Sequence, residues 1–153
     1  MEARDGDRET RFMSGKTFVD TNVLIYAHDS DSGRKQKVAA SHLTELWNSR
    51  TGVLSAQVLQ EFYVNVTRKI AAPISRKAAR EVVRAYAPWH SASVRPEDIV
   101  RASELEERHR LSFWDALIVV SAKNAGAGLI LSEDLNAGQI IDGVRVENPF
   151  VEH

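Results

Sequence analysis

From Lys16 onward the sequence alternates short apolar runs with longer segments of helical periodicity, and no unit of it repeats. That alternation points to βαβ units, because parallel strands need a crossover and a helix is the usual one. The apolar runs at 16–19, 52–54, 129–131 and 144–146 read as strands, the last as an edge strand, and a further strand is placed at 89–94. Helices are expected over 23–26, 34–47, 55 to about 69, 75–86, 96–109 and 112–124. Ser55 serves as a cap, Pro73 and Pro88 as breaks, and Pro96 fits a first turn. The 112–124 segment is apolar on every side (Phe113, Trp114, Leu117, Ile118, Val119, Val120), which places it in the interior. The expected class is α/β: a mostly parallel sheet of four or five short strands with helices on both faces. Such sheets bind ligands outside the carboxyl ends of their strands.

With 153 residues and 43% hydrophobic side chains, the chain has material for one core and one domain. Residues 1–15, dense in charge, are expected to form a flexible extension ahead of a domain over 16–153. Their charge leads to the expectation of no secretory signal, and no run approaches the ~18 apolar residues of a membrane span. Cysteine is absent, which removes disulfides, thiolate zinc sites and cysteine nucleophiles and makes a reducing cytoplasm the expected location. Lys plus Arg number 20 against 21 Asp plus Glu, a formal net charge of −1. Bulk basicity therefore cannot grip a polyanion; a local patch or a metal must do so.

Four acids fall where such a sheet presents its ligand rim. Asp20 ends the first strand, and Asp134 follows the 129–131 strand together with Ser132 and Glu133. Glu61 rides the helix after the 52–54 strand, bordering its stripe of Val58, Leu59, Phe62 and Val66, and Asp115 lies in the first turn of the interior helix. Each has an ordinary explanation: Asp20 and Asp134 as turn or cap residues, Glu61 as a solvated helix glutamate, Asp115 as the partner of Ser112 in a capping box. Glu133 is expected to be solvated. If the four converge, however, like charges repel unless a cation or a proton holds them together. An all-oxygen site without cysteine or clustered histidine suits Mg²⁺ or Mn²⁺, and such an ion serves phosphodiester hydrolysis.

Four stretches carry a resemblance: Phe18-Val19-Asp20-Thr21-Asn22-Val23-Leu24-Ile25-Tyr26, the segment 55–61, Leu111-Ser112-Phe113-Trp114-Asp115-Ala116-Leu117-Ile118, and Leu131-Ser132-Glu133-Asp134-Leu135-Asn136-Ala137-Gly138-Gln139. In order and approximate spacing they resemble PIN-domain ribonucleases of the VapC toxin type, over about residues 16–151. The resemblance implies a three-layer α/β sandwich and a Mg²⁺-dependent endoribonuclease that leaves a 5′-phosphate and a 3′-hydroxyl. It also implies the toxin of a toxin–antitoxin pair, usually a homodimer, inhibited by an antitoxin that inserts a segment into the acidic cleft. The family's acids carry over onto Asp20, Glu61, Asp115 and Asp134. Of these, Asp20, Asp115 and Asp134 are the expected metal ligands, and Glu61 places or deprotonates the attacking water. Asn22 and Ser132 are expected to hold the carboxylates.

An acidic cleft repels RNA, so something else must meet the phosphates. Arg76, Arg80 and Arg84, at i, i+4 and i+8, share one helix face and are the expected RNA-binding patch. Trp47, Trp89 and Trp114 read as core residues; Trp89, beside His90, is the one placed to stack on a base if exposed. A pure interaction subunit, recognised through its partner, is one alternative, and two other functions remain. One is a catalytically inactive module of the same fold that binds RNA or protein. The other is a phosphatase with Asp20 as nucleophile, disfavoured because the acid expected two residues later is Asn22.

Overall fold

The structure is a computed structural model that describes residues 15–91 and 93–151. Apart from Gly15, the expected extension over 1–15 lies outside the described residues. The elements run β1 (Lys16–Val19), α1 (Thr21–Ala27), α2 (Arg34–Ser49), β2 (Gly52–Val53), α3 (Ala56–Val64), α4 (Arg76–Tyr86), α5 (Pro96–His109), α6 (Phe113–Asn124), β3 (Ala127–Leu131), β4 (Ile140–Ile141) and β5 (Val144–Glu147). The sheet order is β2-β1-β3-β5-β4, parallel throughout except for the antiparallel pair β4 and β5. With helices on both faces, this is a three-layer α/β sandwich.

Local chemistry sets most of the boundaries. Asp20 caps α1 by accepting from Thr21 N at 2.8 Å. Ser55, Ser75 and Ser112 do the same for α3, α4 and α6 through their hydroxyls. The helix that starts at Ala56 runs on to Lys69, as its periodicity indicates, but its last turn, Asn65–Lys69, is π-helical. The interior of β1 is wholly enclosed, with Phe18 and Val19 fully buried, and α6 buries everything from Ala116 to Ala122. Helix α6 packs on α5 and against β3 and β5, while α2 and α3 both pack on α1. Among the described residues no helix is long and apolar enough to cross a membrane.

Several expectations are corrected. Among the described residues of 89–94 no strand forms: Ala87–Trp89 is a 3₁₀ turn, and the pairing seen there is an isolated bridge between Leu54 and His90. Pro88 has no N–H to give a ladder, and Trp89 instead lies buried across Gly52, edge-on to Tyr86. A Cβ at Gly52 would come within 2.5 Å of the Trp89 ring. Gly52→Ala is accordingly expected to destabilise the domain by about 1–3 kcal/mol, read as a lowered Tm. The 144–146 run is not an edge strand, because the two-residue β4 covers its outer side. Strand β3 begins at Ala127, two residues earlier than its apolar run indicates, and Gly126, at φ +79°, makes the turn after α6. Nor is α6 buried all round, since Trp114 in its first turn is 62% exposed.

Candidate active site

The parallel register pairs Val19 with Leu131 and Leu131 with Glu147. The next residue of each inner strand, Asp20 and Ser132, therefore emerges at the same carboxyl rim. Their backbones are fixed by the continuing ladder, Asp20 N donating to Leu131 O and Ser132 N to Glu147 O, both at 3.0 Å. Across the gap Ser132 Oγ donates to Asp20 Oδ2 at 2.7 Å. The same hydroxyl accepts from the backbone N–H groups of Asp134 and Leu135, at 3.1 and 3.3 Å, so it is held from three sides.

Asn22, in the first turn of α1, spans the neighbouring loop. Its Nδ2 lies 3.2 Å from Asp134 Oδ2 and 3.4 Å from Asp20 Oδ2, and its Oδ1 accepts from Glu133 N at 3.0 Å. One amide thus ties the end of β1 to the loop after β3.

Burial pushes the Asp20 carboxyl up to about 6, against lowering by the Ser132 hydroxyl and Thr21 N, and the charges of Asp134 and Asp115 add to the rise. Asp115, half-buried, is raised by desolvation and by Asp134, while the Ser112 hydroxyl opposes the rise. Ser112 also caps the helix through Asp115 N at 3.1 Å. Asp20, Asp115 and Asp134 therefore feel one another's charge. Asp134 is exposed at the rim.

Glu61 approaches from α3 and is exposed. Its Oε1 accepts from Gln57 Nε2 at 3.2 Å and meets Thr21 Oγ1 at 3.5 Å, which links it to the start of α1. Thr21 and Gln57 had no signal of their own in the sequence; the i, i+4 spacing of Gln57 and Glu61 is the cue that finds one of them.

Glu133 is only partly exposed, and two side chains engage it. Tyr26 Oη donates to it and Lys35 pairs with it, and these two contacts outweigh the upward push of burial, leaving its carboxyl below the usual value. Tyr26 in turn meets the edge of Phe150 with ring centroids 5.1 Å apart. Glu133 is thus a brace between the loop after β3 and α1–α2, separate from the acid cluster.

Arg76, Arg80 and Arg84 are exposed along α4. Arg80 and Arg84 line a groove between α3 and α4 whose other walls include Leu59, Tyr63 and Val83. The structure does not bring these arginines into the hydrogen-bond network of the acids.

Among the described residues, no three histidine, aspartate or glutamate side chains form a ready-made group around a metal position. The donor set still fits a hard cation. Mg²⁺ keeps most of its waters and takes only one or two carboxylates, and Asp20, enclosed and repelled by two neighbours, is a carboxylate that a cation would relieve.

Comparison with known proteins agrees with this fold. The family model of the PIN domain matches residues 17–140. The chain belongs to the PIN-domain family. No curated protein matches it. Among solved structures, this PIN domain resembles a chain of a toxin–antitoxin complex from Klebsiella pneumoniae, at 18% identity and TM-score 0.64, covering 88% of this chain and 98% of that one. It resembles VapBC2 from Rickettsia felis, solved with a promoter DNA fragment, at 18% identity and TM-score 0.57, over 86% and 97% of the two chains. A third likeness is to VapC20 of Mycobacterium tuberculosis, described as a sarcin-ricin loop cleaving toxin, at 22% identity and TM-score 0.59, over 78% and 92%. At these identities the likeness is one of fold.

Proposed function

We propose that this PIN domain is a Mg²⁺- or Mn²⁺-dependent endoribonuclease and the toxin of a toxin–antitoxin pair. One observation carries the reading: a carboxylate at the end of an inner strand, enclosed, held by a buried serine, and repelled by two further aspartates. A binding module would gain nothing from such an arrangement, which destabilises the fold unless a cation is to be held. The toxin assignment is supported by the shape shared with toxin–antitoxin structures.

In this reading Asp20 and Asp115 would hold the ion, with Asp134 helping directly or through water. A bound divalent ion would supply positive charge to the phosphoryl oxygens and acidify an attacking water. Asn22 and Ser132 fix the carboxylates that meet it. Glu61, oriented through Oε1 by Gln57 and Thr21, has Oε2 free of hydrogen-bond partners among the described residues. That oxygen takes a proton from the attacking water as the water oxygen bonds to phosphorus and the bond from phosphorus to the 3′-oxygen breaks; the departing 3′-oxygen takes a proton from solvent, leaving a 5′-phosphate and a 3′-hydroxyl. Arg76, Arg80 and Arg84 supply cationic charge for the RNA backbone outside the acidic cleft. The same proposal has the protein working in the cytoplasm as a homodimer, restrained by an antitoxin.

The test is cleavage of RNA by the purified, partner-free chain with Mg²⁺, with Mn²⁺ and with EDTA. Cutting with either ion, abolished by EDTA and by Asp115→Asn in a variant shown to be folded by circular dichroism, is the expected result. Cutting that persists in EDTA removes the metal from the account, and cutting that persists in folded Asp115→Asn removes that residue.

A further inference from the structure

The first turn of α6 holds a tryptophan that the core does not need. Trp114 is 62% exposed at the start of a helix that is otherwise interior, and it immediately precedes Asp115. Its indole is braced by Phe113, ring centroids 5.2 Å apart and planes at 79°. The other two tryptophans are engaged elsewhere: Trp89 is buried, and Trp47 packs on it at 4.7 Å.

Trp114 borders a recess of about 350 Å³ between α6 and α3. Phe113 and Leu117 make its apolar side, and Gln57, Gln60 and His90 supply polar groups. Two of its lining residues are linked to the proposed site: Trp114 immediately precedes Asp115 in the chain, and Gln57 donates to Glu61. The other end of that amide is left over. Gln57 Oε1 is buried and has no hydrogen-bond partner among the described residues, a state that costs stability until a donor reaches it. Turning the amide over is no remedy, because it would set an oxygen against the Glu61 carboxylate.

An exposed aromatic face, a recess with an apolar side and amide groups, and an unsatisfied acceptor next to the reacting acids match a nucleobase. A base offers a π-face for stacking and N–H donors at its edge. We propose that Trp114 and this recess bind one unpaired base of the RNA beside the phosphate that is cut, which makes Trp114 a substrate-binding residue and the recess a determinant of cleavage position. The inference rests on the nuclease reading above. The competing occupant is a second copy of the chain, because Val94 and Ile99 add exposed apolar surface at the same recess; the amide groups and the orphaned acceptor favour the base.

The experiment measures binding of labelled single-stranded homopolymeric oligoribonucleotides, and of an abasic strand of equal length, in an Asp20→Asn background that does not cut. Trp114→Ala is expected to weaken binding of base-bearing strands roughly five- to hundred-fold, with Trp114→Phe recovering most of it. The abasic strand is expected to bind both forms equally. Unchanged affinity of Trp114→Ala for every base-bearing strand overturns the proposal. So does a fall in oligomeric state, by sedimentation, with RNA affinity intact, which assigns the surface to a second copy. Failure of the nuclease reading looks different: the unsubstituted chain then cuts no RNA with either ion, whether or not it binds one. An unsubstituted chain that cuts, matched by Trp114→Ala cutting the same strands with the same kcat/KM, overturns the base recess alone.

Discussion

On the proposed nuclease reading, Asp20→Asn is expected to lower RNA cleavage by at least about a hundred-fold, because losing a carboxylate that would hold the metal removes several kcal/mol of transition-state stabilisation. The same change alters how stability depends on pH. Asparagine caps a helix as well as aspartate does, so the start of α1 survives. In metal-free buffer the folded protein binds the Asp20 proton more tightly than the unfolded chain, since burial raises the carboxyl from 3.8 to about 6. Between those two values the native state holds more protons, and stability falls as pH rises through the window; above it the loss is complete. The amide of the Asp20→Asn variant has no such titration, and the remaining acids are common to both proteins. From pH 4 to pH 7 the parent should lose on the order of 2 kcal/mol relative to the variant. Denaturant or thermal melts of both proteins at the two pH values measure it. Parallel pH dependence would mean that Asp20 is not titrating in an enclosed site, and undiminished cleavage would take it out of the chemistry.

Ser132→Ala is expected to damage fold and activity together. The hydroxyl is fully buried and has four partners: the Asp20 carboxylate, the N–H groups of Asp134 and Leu135 and, at 3.5 Å, the Asn22 amide. Alanine leaves all four without it, at a cost of about 1–3 kcal/mol. It also frees the Asp20 carboxylate to turn and loosens the loop that carries Asp134, so cleavage should fall roughly ten- to hundred-fold, the range for removing a group that orients a metal ligand. Ser132→Thr keeps the hydroxyl and is expected to retain most of the activity. Chemical denaturation and single-turnover cleavage read the two effects separately. Activity equal to the parent in a destabilised Ser132→Ala would reduce Ser132 to a structural role.

Alternation of apolar and polar segments made the α/β class and most helices legible, because burial leaves its period in the sequence wherever an element is several residues long. What was missed is short or irregular. Strand β4 has two residues and no period, yet Asp142-Gly143 between Ile141 and Val144 is the hairpin dipeptide, and both residues do adopt positive φ, 51° and 82°. The supposed strand at 89–94 failed because the composition of Trp89 to Val94 says nothing about Gly52, whose missing side chain leaves the space the Trp89 ring fills. At the site, Asp20 and Ser132 could be placed at one rim because each directly follows a strand. The link from Glu61 to Thr21 and Gln57, the capture of Glu133 by Tyr26 and Lys35, and the exposure of Trp114 depend on how separate elements meet in space. The sequence carries no local trace of that.

The register that sets Asp20 beside Ser132 has a dynamic consequence. Both residues continue the ladder between inner strands of the sheet, so they can separate only when the centre of the domain opens. Glu61 is attached differently, through one side-chain contact to Thr21 and one to Gln57 on its own exposed helix face. The site is built as an anvil and a hammer: one half as immobile as the fold itself, the other able to swing within its helix without disturbing any buried bond.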